Sequence, residues 1–223
     1  MTIDDLRREY FENRLGRAVG GRFAKERKEL MGLLGDPPDL NNVPDTFWTN
    51  NYNATSHELY FIIADIAAES GLLLQEQTVG AMVIDWAMVN QNAATWARQY
   101  TYGLVTGIND TSRTWLQKTI PAFREEAWTR AQLEAELRKI YSPVRASMIA
   151  VTETTRAAVE GDRLVVDRIR EDTGMQMKPI WRTSEDELVC PICGPRANKE
   201  ITDGMFPPAH PRCRCNVSWE IIP

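Results

Sequence analysis

Apolar residues along the front two-thirds of the chain recur at helical spacing. Leu6, Tyr10, Phe11 and Leu15 fall close to one face of a helix over residues 3–18, and a second, basic segment runs from Arg22 to Leu34. Leu59, Ile62, Ile63 and Ile66 keep the same period behind Thr55 and Glu58, a capping-box pair that predicts a helix start. The clearest stripe is Val79, Met82, Val83, Trp86, Val89, Ala93 and Trp96. Nothing polar interrupts it, as expected of a core helix. Asp110 is placed to cap a helix carrying Trp115, Leu116 and Ile120, with Pro121 ending or kinking it. Thr129 and Gln132 form another capping box, ahead of Leu133, Leu137 and Tyr141. Ser142-Pro143 reads as a cap followed by proline at the first helical position. That helix carries Val144, Met148 and Val151, and Gly161 is its expected stop. Residues 162–172 then read as one more helix.

The pattern changes after Gly174. Residues 175–223 hold seven of the twelve prolines, which disfavours long helices, and the runs 178–183 and 216–222 read as strands. Gly35-Asp36-Pro37-Pro38, with Pro44 beyond it, marks a break. The predicted organisation is a helical N-terminal arm (1–35), a linker (36–54), a helical body (55–174) and a Cys/His module (175–223). The fold class is mainly α, with a small C-terminal α+β module resembling a zinc knuckle. The tryptophans, Trp48, Trp86, Trp96 and Trp115 among them, are expected mostly in the core, with one or two as interface anchors.

Composition changes this picture little. The chain has 223 residues, 43% hydrophobic and 26% charged, which is ordinary for a globular protein and argues against a wholly disordered one. No apolar run approaches the ~20 residues of a membrane span. The start, Met1-Thr2-Ile3-Asp4-Asp5, lacks the features of a secretory signal, so synthesis in the cytoplasm is expected. The net charge of −5 excludes a surface that is basic throughout. Its distribution is uneven: 8 basic and 6 acidic residues in 1–35, 12 and 19 in 36–174, 6 and 6 in 175–223.

The cysteines change it more. The first 189 residues contain none, and all four lie from Cys190 to Cys215. Such clustering points to a metal site rather than a disulfide framework. In Cys190-Pro191-Ile192-Cys193-Gly194, the two-residue spacer lets both sulfurs reach one ion, and Gly194 is expected at positive φ to turn N–H groups toward them. Sixteen residues on, His210-Pro211-Arg212-Cys213-Arg214-Cys215 supplies a second half-site. Five candidates (Cys190, Cys193, Cys213, Cys215 and His210) thus compete for four places, and the sequence leaves an all-cysteine and a mixed set open. Zinc in a closed, structural site is the favoured ion. The competing readings are four buried thiols without metal and a Cys190–Cys193 disulfide. The latter is disfavoured because the strand–CxxC–helix context is missing.

Several blocks then fall in a recognisable order: Arg145-Ala146-Ser147-Met148-Ile149-Ala150, Thr152-Glu153-Thr154-Thr155-Arg156-Ala157, Trp181 with Asp186, Cys190-Pro191-Ile192-Cys193, and Pro207-Pro208-Ala209-His210-Pro211-Arg212-Cys213-Arg214-Cys215. Together they resemble the phage head-morphogenesis domain, the Mu F-like minor head proteins of tailed bacteriophages, over residues 95–220. The resemblance implies a virion component inside the head near the portal, present in few copies and assembled in the host cytoplasm. It implies the portal protein as partner, with scaffold, major capsid protein and packaged double-stranded DNA as further candidates. Its expected roles are procapsid assembly, DNA packaging and DNA ejection. Glu153 and Arg156, with Arg156 and Glu160, have the spacing of a helical charge ladder. Their place in the motif suggests that Glu153 or Arg156 braces the helix against the cysteine module.

Arg196, Lys199, Arg212 and Arg214 are candidates for phosphate contact. Asp186, Glu187, Glu200 and Asp203 share the stretch, so ordinary surface charge is the preferred reading. For Arg7, Arg8, Arg14, Arg17, Arg22, Lys25, Arg27 and Lys28 the preferred reading is docking on a protein partner, because acidic residues interleave with them. A non-enzymatic role is expected. The alternatives are a metal-dependent nuclease or other DNA-processing enzyme, and a transferase. Only two histidines exist, His57 and His210, so a histidine base beside a histidine-bearing metal site cannot be built if His210 is a ligand. Gly20-Gly21 follows no strand and makes a weak phosphate loop.

Overall fold

A computed structural model describes residues 5–78, 86–183 and 189–222. Five α-helices lead into a two-stranded sheet: α1 (Asp5–Leu33), α2 (Asp45–Thr78), α3 (Trp86–Glu125), α4 (Arg130–Ile140), α5 (Pro143–Thr173), β1 (Met177–Arg182) and β2 (Asn216–Ile221). The mainly α body with a small α+β C-terminal module is therefore the architecture of this chain.

Local chemistry explains several boundaries. Thr129 and Gln132 close the expected reciprocal capping box on α4. The Ser142 hydroxyl accepts from the Arg145 N–H, and Pro143 opens α5. Gly174, at φ 73°, ends α5 in the left-handed conformation that glycine adopts without strain.

Gly161 does not end α5, and residues 162–172 continue the same helix. A β-carbon at Gly161 would lie 2.7 Å from the carbonyl carbon and 2.8 Å from the Cα of Ala67. The glycine is there to let α5 and α2 touch backbone to backbone. Gly71 serves the same crossing, since its β-carbon would sit 2.8 Å from Val165 Cγ2. Beside it, the Ser70 hydroxyl donates to a carboxyl oxygen of Asp162 at 2.7 Å, and both residues are fully buried.

The expected starts at Thr55 and Asp110 are also corrected. α2 begins ten residues before Thr55, inside the predicted linker, and Thr55 is a buried mid-helix residue accepting from Arg22 at 3.3 Å. α3 runs unbroken through Asp110 and Pro121. Leu116 and Ile120 are buried just before the proline, and their packing outweighs its lost hydrogen bond.

The N-terminal segment is part of the body rather than an arm. Phe11, Leu15, Val19, Phe23 and Leu30 of α1 are buried with Leu59, Ile63 and Ile66 of α2, Leu116 of α3, Leu133 and Leu137 of α4, and Ala146 and Ala150 of α5. Gly16 and Gly20 permit the approach: their β-carbons would sit 3.6 and 3.9 Å from those of Ala150 and Ala146. Tyr10, expected on the apolar face, points to solvent. Leu6 and Trp86 lie where only the helical backbone is described. Val79, Met82 and Val83 lie outside the described residues, while Val89 and Ala93 are buried as expected and Trp96 is half-buried. Of the other tryptophans, Trp48 is buried and Trp115 half-buried.

A polar network crosses this core. Tyr141 donates to Glu26 at 2.9 Å, and Arg145 donates to the Ser112 hydroxyl at 3.2 Å and to the carbonyls of Ile108 and Ile140 at 3.1 Å. Arg145 also stacks over the Phe23 ring, 4.9 Å from its centre. Burial pushes the Glu26 carboxyl up despite these partners.

β1 and β2 pair antiparallel, with Trp181 opposite Val217 and Pro179 opposite Trp219. On the other side of β1, Trp181 N–H donates to Lys199 carbonyl at 2.9 Å and Asn198 N–H to Trp181 carbonyl at 2.8 Å. The loop bearing the first cysteine pair is thereby tied to the strand.

Candidate metal centre

The segment around Cys190 and Cys193 is a tight turn. The N–H groups of Cys193 and Gly194 donate to the Cys190 carbonyl at 3.2 and 2.9 Å. The Cys193 N–H also lies 3.3 Å from the Cys190 sulfur. Gly194 is not at positive φ; it opens a short 3₁₀ turn, Gly194–Arg196, and the N–H facing the thiol comes from Cys193 instead.

The second half-site folds onto this turn. His210 Nε2 lies 3.0 Å from Cys190 Sγ and 3.3 Å from Cys193 Sγ, while Cys213 Sγ lies 3.8 Å from Cys193 Sγ. Two groups with metal-ligand geometry result, Cys190–Cys193–His210 and Cys193–Cys213–Cys215, and Cys193 belongs to both. All five sequence candidates are brought together. His210 Nδ1 donates to the Pro211 carbonyl at 2.8 Å, which leaves the Nε2 lone pair aimed at the sulfurs. The four thiols form no disulfide.

The sulfurs are not electrostatically equal. The Cys215 thiol donates to Cys213 and, against burial, helps hold Cys213 down to about 5, while Cys215 itself is pushed up. Burial pushes Cys193 up to about 12. At Cys190 burial opposes ionisation, but the N–H groups of Cys193 and Ile192 and the nearby His210 bring the thiol below its usual value. Four sulfurs and an imidazole form a donor set suited to a soft or borderline cation, which binds such sulfurs as thiolates.

Helix α5 holds this cluster through two hydroxyls that sequence reasoning passed over. Thr155 donates to the Cys213 carbonyl at 2.7 Å, and Thr152 accepts from the Arg212 N–H at 2.9 Å. Trp181 is completely buried, packed with Cys193, Cys213, Cys215, Val159 and Val217, and Arg196 stacks over its ring at 5.4 Å. The signal for the threonines was present: Thr152, Thr154 and Thr155 are poor helix formers clustered inside a helix.

The bracing role expected of Glu153 and Arg156 goes elsewhere. Glu153 is buried and accepts from the Tyr100 hydroxyl of α3, and Arg156 pairs with Glu153 at 3.4 Å and lies 5.6 Å over the Tyr100 ring. Burial raises the Glu153 pKa in spite of both partners. These residues join α5 to α3, not to the cysteine module. The Arg156–Glu160 rung is absent among the described residues; Glu160 pairs with Arg163 at 3.1 Å. Asp186 and Glu187 lie outside the described residues.

Three of the four candidate phosphate contacts are engaged within the chain. Arg196 pairs with Asp203 at 2.8 Å, Arg214 grips Glu12 at 2.6 and 3.0 Å, and Arg212 reaches the Val144 carbonyl at 3.4 Å. Lys199 is exposed and forms no ion pair among the described residues. The basic face of α1 is partly spent in the same way: Arg7 pairs with Glu69, Arg14 with Asp65 at 2.7 Å, and Arg22 donates to Asn51 at 2.8 Å.

Comparison with family models, with curated proteins and with solved structures finds no match to this chain. No helix among the described residues is long and apolar enough to cross a membrane.

Proposed function

We propose that this chain is a minor head protein of a tailed bacteriophage, of the Mu F-like head-morphogenesis type, and that its cysteine module is a structural zinc clasp. The observation that carries the reading is the meeting of separate motif blocks. Thr152 and Thr155 of the α5 block hold the backbone of Arg212 and Cys213 in the last block, and Trp181 fills the space beneath both cysteine segments. The blocks that carry the resemblance thus pack against one another as one unit.

Zinc bound by Cys190, Cys193, Cys213 and His210 is the ligation we infer, with Cys193, which belongs to both ligand groups, at its centre. Sulfur ligands at Zn–S of ~2.3 Å stand about 3.8 Å apart in a tetrahedron, and Cys193 and Cys213 are separated by 3.8 Å. Cys215 then serves as a hydrogen-bond donor to the Cys213 sulfur. The ion in this role supplies cross-linking and no catalysis. Neither group contains a carboxylate, and His57 sits on α2, edge-on to Phe61, apart from the cluster.

The protein would act inside the head beside the portal, in procapsid assembly, packaging or ejection. Co-expression with the portal protein encoded beside it, followed by affinity purification and elemental analysis, tests both halves. One zinc per chain in a stable complex with portal is the expected result. Metal without portal binding would leave the clasp and remove the phage role. Absence of both would overturn the reading.

A further inference from the structure

α1 and α5 do not close fully over one another. Beside their crossing lies an open groove of about 1290 Å³, bounded at one end by Arg214 of the cysteine module. Its lining is small where the helices meet, at Gly16, Gly20, Ala146 and Ala150, and charged along its sides. The charge is unbalanced. Arg214 and Glu12 neutralise one another, and Arg8 donates to the Arg214 carbonyl at 2.6 Å. Arg17 and Arg27 remain, and neither forms an ion pair within 4 Å among the described residues, although Arg27 lies close enough to Glu134 of α4 to help hold its carboxyl below the usual range; Glu9 is the one other acidic group on the wall.

We infer that this groove is a docking site for an acidic amphipathic helix of a protein partner. Gly21, Ala24 and Ser147, small exposed residues of the lining, admit a helix at close range. Arg17 and Arg27 stand ten residues apart on α1, about 15 Å at 1.5 Å per residue. A bound helix with carboxylates about three turns apart would match them. A nucleic-acid backbone is the poorer occupant, because its continuous phosphates would run past Glu9 on a chain of net charge −5. The site does not depend on the phage reading and would hold for any partner with this chemistry.

The test uses the full chain and a labelled, end-capped fifteen-residue peptide with an alanine-leucine face and glutamates near both ends, read by fluorescence anisotropy at low salt. A matched peptide with lysines in place of the glutamates is the control. The acidic peptide should bind, and added salt should weaken it. Arg17→Glu with Arg27→Glu should weaken binding about tenfold or more. Ser147→Trp, an exposed groove residue on α5, should block it without changing charge. The melting temperature of each variant should stay within a few degrees of the parent, which separates lost docking from lost folding. Failure of the acidic peptide to bind overturns the inference. So does equal binding of the lysine peptide, or competition by a short DNA duplex whose own binding needs the same two arginines. Portal binding that survives Ser147→Trp would leave the head-protein reading standing while removing this site from it.

Discussion

Replacing Gly161 by alanine adds one methyl group where α5 crosses α2. Its carbon would overlap the Ala67 carbonyl oxygen and lie 2.7 and 2.8 Å from the carbonyl carbon and Cα. All are backbone atoms, so no side chain can swing away. Carbon–carbon contacts settle near ~3.5–4.0 Å, and the helices must part by about 1 Å, a gap that forfeits up to about half of each contact energy along the seam. Overpacking of this kind costs ~1–3 kcal/mol. Separation also strains the Ser70–Asp162 hydrogen bond one residue away, which is worth ~1–3 kcal/mol when it leaves a buried group unpaired. Better helix propensity returns at most ~1 kcal/mol. The net is a loss of about 3 kcal/mol, or roughly 6–12 °C in melting temperature for a chain of this size. Gly21→Ala is the control, since no atom lies within 4 Å of its would-be β-carbon. It should raise the melting temperature slightly. Thermal unfolding followed by circular dichroism reads both variants. A Gly161→Ala protein as stable as the parent would refute the close-crossing argument.

Cys193→Ser should abolish metal binding because Cys193 belongs to both ligand groups, whereas Cys215→Ser should retain one ion per chain; elemental analysis of the two proteins decides the ligation. Chelation should shift tryptophan emission, through Trp181 and Trp219 in the module, while far-ultraviolet circular dichroism stays nearly constant because the helices have their own core. Thr155→Val should cost ~1–3 kcal/mol in urea unfolding by orphaning the Cys213 carbonyl. Burial holds the Asp162 pKa well above the ordinary carboxylate range. The native state therefore keeps a proton that the unfolded chain gives up, and this residue's contribution falls as pH rises above about 4. Asp162→Asn should flatten that decline relative to the parent, in melting temperatures measured from pH 4 to 8.

What could be read beforehand was chemistry confined to a few neighbouring residues. Thr129-x-x-Gln132 and Ser142-Pro143 cap helices whatever surrounds them, and both do so here. The Cys and His spacings brought five ligand candidates to one place. Signals whose meaning depends on what lies opposite were misleading. Gly161 looks like a stop until Ala67 is placed against it. Thr55 looks like a cap until Arg22 reaches it from α1. Glu153 sits in the right motif, but its face of α5 turns toward Tyr100, and the hydroxyls of Thr152 and Thr155 turn toward the cysteines. A helix places residues three and four apart on one face, yet sequence alone does not say which face meets which neighbour.

The pairing of Glu12 with Arg214 spans 202 positions. During synthesis α1 is made well before α5 and the cysteine module, the partners that cover its inner face. Until then Phe11, Leu15 and Val19 lack part of their final cover, and the contacts that complete it are among the most distant in sequence. Such long-range closure slows folding and prolongs the exposure of apolar surface. Only after Arg214 has been translated can the module lock over α1, so the ligand candidates His210, Cys213 and Cys215 and the hold on Glu12 arrive together.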